Sequence, residues 1–288
     1  MSFLNNEYSG YGGKPVQLYE FWRSSGGTEF LWAYNGSDRD ITYGGALYKA
    51  VSISDAGARF SNEAVSTDLI VTMPIIEDFP QTFRLQGSIP SDSVLIRVRR
   101  AHGDDIANID TAPVAAEAPL VWIGTVSGVK QTDEVTAEVT CSMLTASLRR
   151  DGLRYGYQIP CPHVLYAPTT CKVDKSLYLA TCTVTSLAGL RIGSTEFGLF
   201  ETNWFNGGFI EYTTAEGFTE RRGVTGNSGI YATVMGFPAG LEVGGVLSAF
   251  PGCNHATTHC IDKFNNLLNY GGFIHTPRRN PFDGMPVF

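Results

Sequence analysis

The chain has 288 residues, 43% of them hydrophobic and 17% charged, which is enough apolar material for about two packed domains. Its net charge of −7 argues against tight nucleic-acid binding, because such binding needs cations that displace counterions from phosphates. No apolar stretch approaches the ~18–20 residues of a membrane-spanning helix, and residues 1–10 lack the basic start and apolar run of a signal peptide. We therefore expect a soluble protein that is not exported.

Short apolar runs, β-branched residues and 32 glycines favour many short strands joined by turns over long helices. Residues 15–21 and 29–34 should pair as a hairpin, with Gly26 and Gly27 in the connection. The first 150 residues therefore predict a β-dominated domain. Its other strands are predicted at residues 46–53, 66–73, 93–99, 119–127 and 134–142.

Three segments of this first half predict more specific features. Residues 69–73 form an apolar run closed by Pro74, which is typical of a strand buried on both faces. Residues 75–86 predict a short helix that is interrupted at Pro80. Residues 100–118 are polar and then rich in Ala and Pro, which predicts a long surface loop.

The sequence changes in character after residue 150. Residues 159–174 are irregular, and strands are predicted at 176–185, 208–213, 229–235 and 241–248. A helix is predicted over 257–269, because apolar residues recur on one face and two glycines follow as a stop signal. That face holds Ile261, Phe264, Leu267 and Leu268, and the stop is Gly271 and Gly272.

The predicted fold class is therefore mainly β. A β-rich domain over residues 1–150 precedes a smaller β-rich domain over residues 151–288, which is organised by cysteines and has one C-terminal helix. The acidic excess lies in the first domain, which holds 12 Lys and Arg against 18 Asp and Glu.

Six cysteines in an unexported protein are poor candidates for disulfides, because the cytosol keeps thiols reduced. Cys141 and Cys182 lie inside alternating strand patterns, where a free cysteine is usually a small buried apolar residue. The other four lie in irregular segments as two pairs, Cys161 with Cys171 and Cys253 with Cys260.

Three chemistries are open for these four cysteines. Four thiolates are the expected ligand set for zinc or for an iron–sulfur cluster. Structural zinc sites usually use pairs with two to four intervening residues, so gaps of nine and six residues fit a zinc knuckle badly and suit a larger cluster. Disulfides within each pair and unlinked thiols are the other two readings, and spacing alone leaves the choice open.

The histidines near the cysteines allow an enzymatic alternative. His163 follows Cys161 by two residues, and a thiol beside an imidazole can form a cysteine nucleophile. The sequence marks neither an orienting residue nor an oxyanion hole, so we predict no catalytic residue, and a cysteine hydrolase stays an alternative. His255 and His259 flank the second pair, where contacts around the thiolates are their expected role.

Two stretches around the cysteines resemble the phage tail-tip, or baseplate, hub proteins of siphophages and gene transfer agents. They are GLRYGYQIPCPHVLYAPTTCKVD (152–174) and FPGCNHATTHCIDKFNNLLNYGGFIHTPRRNPFDG (250–284). The Gly-rich FNGGFIEY (205–212) resembles the strand between them. The N-terminal half matches more diffusely, through LYEF (18–21), ITYGGALYKA (41–50) and LVWIGTVSG (120–128).

This resemblance implies a structural, non-enzymatic virion protein. It implies a hub domain related to tail-tube modules, followed by a domain that binds a [4Fe–4S] cluster through four cysteines. It also implies a homotrimeric ring at the tail tip, assembled in the host cytoplasm between the distal tail protein and the tip or fibre protein, with no membrane contact. Genomic DNA would pass through its lumen without specific binding. Zinc in place of the cluster, and a disulfide-stapled host-adhesion module, remain alternatives. The implied ligands are Cys161, Cys171, Cys253 and Cys260.

Overall fold

The computed structural model describes residues 4, 7–9, 13–57, 68–86, 90–102, 118–145 and 156–276. The chain divides into two compact units, Met1–Arg150 and Asp151–Phe288. Each unit is built on one sheet with only short helical segments, which confirms the predicted mainly-β class. Within the described ranges, no helix is long and apolar enough to cross a membrane.

The first unit contains one nine-stranded sheet in the order β3-β4-β2-β1-β7-β8-β9-β6-β5. Neighbouring strands are antiparallel except β2 and β4, which are parallel. One short helix, α1, accompanies the sheet. The elements are β1 (Pro15–Ser25), β2 (Thr28–Asn35), β3 (Ile41–Tyr43), β4 (Ala46–Ala50), β5 (Ser54–Asp55), β6 (Leu69–Pro74), α1 (Asp78–Gln86), β7 (Val94–His102), β8 (Leu120–Gln131) and β9 (Thr136–Met143).

The β1–β2 hairpin forms as predicted around its two glycines. Ser25 pairs with Thr28, so the loop consists of Gly26 and Gly27 alone. Their φ angles of 59° and 86° lie in the left-handed region, which a two-residue hairpin turn requires and glycine adopts without a steric penalty.

The sheet of the first unit curls until its two edges approach each other. β4 lies near one edge and β5 at the other, yet only residues 51–53 join them. Since an extended residue spans about 3.3–3.6 Å, this connection reaches no more than about 14 Å from Ala50 to Ser54. The side chains on the inner face therefore form an enclosed core, as in a β-barrel. A smaller cluster with Leu18, Ile41 and Tyr48 packs apart from it.

The helix α1 closes that core. The Phe79 ring is fully buried and stacks on Phe21, with centroids 4.0 Å apart, and the Phe79 N–H donates to the Tyr34 hydroxyl at 3.1 Å. Pro80 does not interrupt the helix, because it lies in the first turn, where the N–H has no intrahelical partner to lose.

Two other predictions for the first unit need comment. β6 is not buried on both faces: Leu69, Val71 and Met73 are buried, whereas Ile70 is 41% exposed, because only one face of this strand meets the core. The predicted loop over 100–118 starts later, since β7 continues to His102. Residues 103–117 of that loop lie outside the described residues.

The second unit contains a seven-stranded antiparallel sheet in the order β10-β16-β13-β14-β15-β12-β11. Its core includes Phe197, Phe205 and Ile210, all fully buried. The predicted strand at 176–185 is shorter, because a 3₁₀ turn occupies Lys175–Tyr178. The strands are β10 (Ala180–Thr183), β11 (Ser186–Ala188), β12 (Arg191–Gly193), β13 (Phe209–Thr213), β14 (Thr219–Ser228), β15 (Tyr231–Val234) and β16 (Val246–Phe250).

The predicted helix over 257–269 is wrong in length. Helical structure ends with a π-helical turn at His259–Lys263, and a separate 3₁₀ turn follows at Leu267–Asn269. Between them the chain reverses, with Asn265 at φ 46° and the Asn266 N–H donating to the Cys260 carbonyl at 2.8 Å. Of the apolar face, Phe264 is buried but Leu268 is fully exposed, so no continuous core-facing stripe exists to hold a longer helix.

Candidate metal centre

The four cysteines of the two pairs line one cavity in the second unit. The cavity is small and partly open to solvent, and Leu165, Val173 and Phe264 contribute apolar walls. All six cysteines of the chain are free thiols. The structure thus brings together residues that are up to 99 positions apart in the sequence: Cys161, Cys171, Cys253 and Cys260.

Cys141 and Cys182 lie elsewhere, as the strand patterns predicted. Both are fully buried in sheets, Cys141 in β9 and Cys182 in β10. Burial raises the pKa of each thiol to about 12, so neither is prepared to act as a thiolate ligand.

The first pair is carried by residues 159–174, which backbone contacts hold against the C-terminal segment. The Cys161 N–H donates to the His255 carbonyl at 2.9 Å, and the Phe273 N–H donates to the Gln158 carbonyl at 2.9 Å. The Tyr270 hydroxyl donates to the Ile159 carbonyl at 2.7 Å. These bonds satisfy backbone groups in a segment without regular secondary structure.

Tyr166 anchors the middle of the same segment. Its hydroxyl donates to the Pro251 carbonyl at 2.7 Å. Its ring meets three phenylalanine rings edge-on at centroid distances of 6.1–6.3 Å, an arrangement that aromatic quadrupoles favour. The three are Phe209, Phe250 and Phe264.

The second pair begins in a turn that packs directly on the Gly-rich strand. A Cβ at Gly208 would lie 2.7 Å from the Gly252 nitrogen and 2.8 Å from the Pro251 carbonyl carbon, well inside normal contact distance. Asn254 then starts the helical segment, because its Oδ1 accepts the Ala256 N–H at 3.0 Å. The glycines in the sequence motif thus permit a close backbone approach beside Cys253.

Three of the sulfurs accept hydrogen bonds from N–H groups. Such bonds favour the thiolate form and are found around iron–sulfur clusters, where they influence the reduction potential. The fourth thiol donates to a carbonyl. The donors are His255 N to Cys253 at 3.3 Å, Gly271 N to Cys161 at 3.3 Å and Asn266 Nδ2 to Cys171 at 3.7 Å, and Cys260 donates to the Asn266 carbonyl at 3.1 Å.

The thiols also influence one another electrostatically. Burial raises the pKa of Cys253 and of Cys260, and the neighbouring thiols of the quartet raise both further. Four thiolates crowded into an apolar cavity repel each other, so a cationic metal group would supply the charge that lets all four ionise. The donor set therefore fits a soft, thiolate-binding metal group.

Within the described ranges, no cluster of three or more His, Cys, Asp or Glu residues is arranged to hold a metal ion. A single zinc ion, with Zn–S bonds of ~2.3 Å, would require sulfurs about 3.8 Å apart.

The three histidines hold the site together by structural contacts. His163 Nδ1 donates to the Asn269 carbonyl at 3.0 Å, and its ring packs where any side chain on Gly271 would lie. The His255 N–H donates to the Cys253 sulfur, and the His255 carbonyl accepts the Cys161 N–H. His259 Nδ1 accepts the Asn254 N–H at 3.4 Å, and burial followed by the nearby Lys263 lowers the pKa of this imidazole.

Sequence reasoning did not identify several residues of the site. The sequence pattern predicts a helix stop at Gly271, but in the structure its lack of a side chain makes room for the His163 ring. Asn266, Tyr166 and Tyr270 link the two cysteine segments, and Lys263 binds backbone carbonyls beside Cys253. All five lie inside the two stretches quoted for the resemblance, which is the signal that could have identified them.

The fold is similar to that of a chain in a gene transfer agent virion. A solved chain described as "Virion of native gene transfer agent (GTA) particle" superposes with a TM-score of 0.77 at 16% sequence identity, over 100% of this chain and 99% of that chain. At this identity the likeness shows a shared fold.

The sequence of the second unit matches a phage family model. The model, described as "Phage conserved hypothetical protein BR0599", matches residues 203–280, which include Cys253 and Cys260 but not the first pair. No curated protein matches the sequence.

Proposed function

We propose that this chain is a structural virion protein that forms the hub at the distal tip of a phage or gene-transfer-agent tail. The observation that carries the proposal is the fold match over the full length of both chains to a component of a gene transfer agent virion. The match of residues 203–280 to a phage family model supports the same class of particle. The protein has no catalytic role in this proposal.

The hub would be a homotrimer that joins the distal tail protein above it to the tip or fibre protein below it. Its ring would enclose a lumen through which genomic DNA slides. The acidic balance of residues 1–150 supports such a lumen, because a basic wall would bind phosphates and retain the DNA.

We also propose that the second unit holds a [4Fe–4S] cluster through Cys161, Cys171, Cys253 and Cys260. The convergence of these four thiols on one cavity, with N–H donors aimed at three sulfurs, supports this proposal. The cluster would cross-link two segments whose nearest ligands are 82 positions apart. A clip that closes such a long loop contributes directly to folding free energy.

The cofactor is tested by purifying the full chain without oxygen. We expect brown protein that absorbs near ~400 nm and carries about four iron atoms per chain. Cys260→Ser should lose most of the iron, whereas Cys182→Ala should keep it, since Cys182 lies in β10 away from the cavity. Colourless protein with one zinc per chain would reject the cluster and retain a structural metal.

The position in the particle is tested separately. Antibody against this chain should label the end of the tail opposite the capsid in electron micrographs, and the purified protein should have the mass of a trimer by light scattering. Label along the tube or on the capsid would contradict the hub assignment, whatever the metal content.

A further inference from the structure

The fold holds the Lys263 ammonium against the backbone next to Cys253. Its Nζ donates to the Gly252 carbonyl at 2.9 Å and to the Trp204 carbonyl. The same nitrogen lies 4.3 Å from the centroid of the Trp204 ring and 5.6 Å from that of Phe264. Lysine ammonium groups are strongly hydrated and usually extend into solvent, so this half-buried placement costs solvation that the contacts must offset.

Two observations place Lys263 near the site cysteines. The carbonyl that it binds belongs to the peptide bond between Gly252 and Cys253, and Lys263 follows Cys260 by three residues on the same π-helical turn. Burial lowers the pKa of Lys263 to about 8, and the Cys253 thiolate and Glu201 oppose that fall. Burial raises the pKa of the Cys253 thiol, and the Lys263 charge opposes that rise. The two groups therefore attract each other in a partly desolvated setting.

A second lysine offers a comparison. Lys172 directly follows Cys171 in the sequence, but its side chain is exposed, so water and salt screen its charge. Lys172 and Lys263 thus carry the same formal charge near site cysteines, but the charge of the exposed Lys172 acts more weakly on the site than that of the half-buried Lys263.

We propose that Lys263 is the positioning residue that supplies the counter-charge to the metal group, and that it makes the reduction potential of the cluster more positive. This inference rests on the proposed cluster. Four thiolates around [4Fe–4S]²⁺ leave two net negative charges, and one electron from a reductant such as dithionite adds a third. A fixed cation stabilises the more negative reduced form by a larger amount.

The experiment is a redox titration with dithionite of the full chain purified without oxygen, followed by visible absorbance and electron paramagnetic resonance. Lys263→Met removes the charge and keeps an unbranched apolar side chain, Lys263→Arg keeps the charge, and Lys172→Met is the matched control. We expect Lys263→Met to retain about four irons and to favour the oxidised form about tenfold more, a shift of ~59 mV to more negative potential. Lys263→Arg and Lys172→Met should stay close to wild type.

Each other outcome also decides for or against the inference. An iron-loaded Lys263→Met chain with the wild-type potential overturns it, as does a Lys172→Met shift of the same size. Loss of iron from Lys263→Met alone, while Lys263→Arg keeps iron at the wild-type potential, supports the role of the charge. Loss of iron from both variants overturns the inference. Wild-type protein without a cluster would instead refute the proposed cofactor, and the inference with it.

Discussion

Gly271 and His163 make the sharpest test of how the cysteine segments are held together. A Cβ on Gly271 would lie 2.5 Å from His163 Cε1 and 2.8 Å from Cδ2, where normal contacts are about 3.5–4.0 Å. Gly271→Ala must therefore displace the imidazole, which is anchored by its bond to the Asn269 carbonyl. Overpacking of about 1–3 kcal/mol plus the lost hydrogen bond gives a destabilisation of about 2–4 kcal/mol.

The assay is hydrogen-exchange mass spectrometry of peptides from residues 156–276 as the urea concentration rises. Gly156→Ala is the matched control, because a Cβ at Gly156 meets nothing within 4 Å and the substitution should be neutral or stabilise by about 0.4–1 kcal/mol. His163→Ala in the Gly271→Ala chain should restore part of the loss, with a coupling of at least ~1 kcal/mol. The packing argument is wrong if Gly271→Ala is as stable as Gly156→Ala. It is also wrong if the stability losses of Gly271→Ala and His163→Ala simply add in the double variant.

Three further predictions concern other parts of the chain. At pH 8, iodoacetamide should modify Cys141 and Cys182 roughly 10³-fold more slowly in the folded protein than in the urea-unfolded chain, because burial raises their pKa to about 12; equal rates by peptide mapping would contradict this. Phe79→Ala should destabilise the first unit by about 3–5 kcal/mol in urea unfolding, since it removes a fully buried ring, and a loss under ~1 kcal/mol would refute its place in the core. Asp133 accepts two backbone N–H groups in the β8–β9 turn, which lower its pKa below the ordinary value. The stabilisation of the folded state by the Asp133 carboxylate should therefore be present above about pH 4 and disappear as the pH falls through the lowered pKa. The Asp133→Asn chain should lack that part of the acid dependence of the urea midpoint.

Local patterns in the sequence account for much of the first unit. The β1–β2 hairpin could be predicted because Gly26 and Gly27 separate two apolar runs, and a two-residue turn with positive φ follows from that local chemistry. The burial of Cys141 and Cys182 could be predicted for the same reason, since strand alternation alone assigns each to the inner face. These features depend on near neighbours in the chain.

Features that depend on distant partners could not be read from the same patterns. The apolar spacing over 257–269 predicts a helix, but Leu268 is fully exposed and, of the four residues on the predicted face, only Phe264 is buried. In the sequence, Pro80 predicts an interruption of the helix. In the structure α1 begins at Asp78, so the proline lies in the first turn, where it is tolerated. Both differences arise because packing partners, not spacing, decide where a short helix begins and ends.

The sequence by itself determined that the protein is mainly β and that four of its cysteines lie in irregular segments as two pairs. Only the tertiary structure brought the pairs to one cavity, aimed N–H groups at three sulfurs and held the Lys263 ammonium beside Cys253. The physical reason is that strands and turns follow from side-chain alternation and backbone preference over a few residues. A thiolate site depends on long-range contacts, which form only when the chain closes on itself.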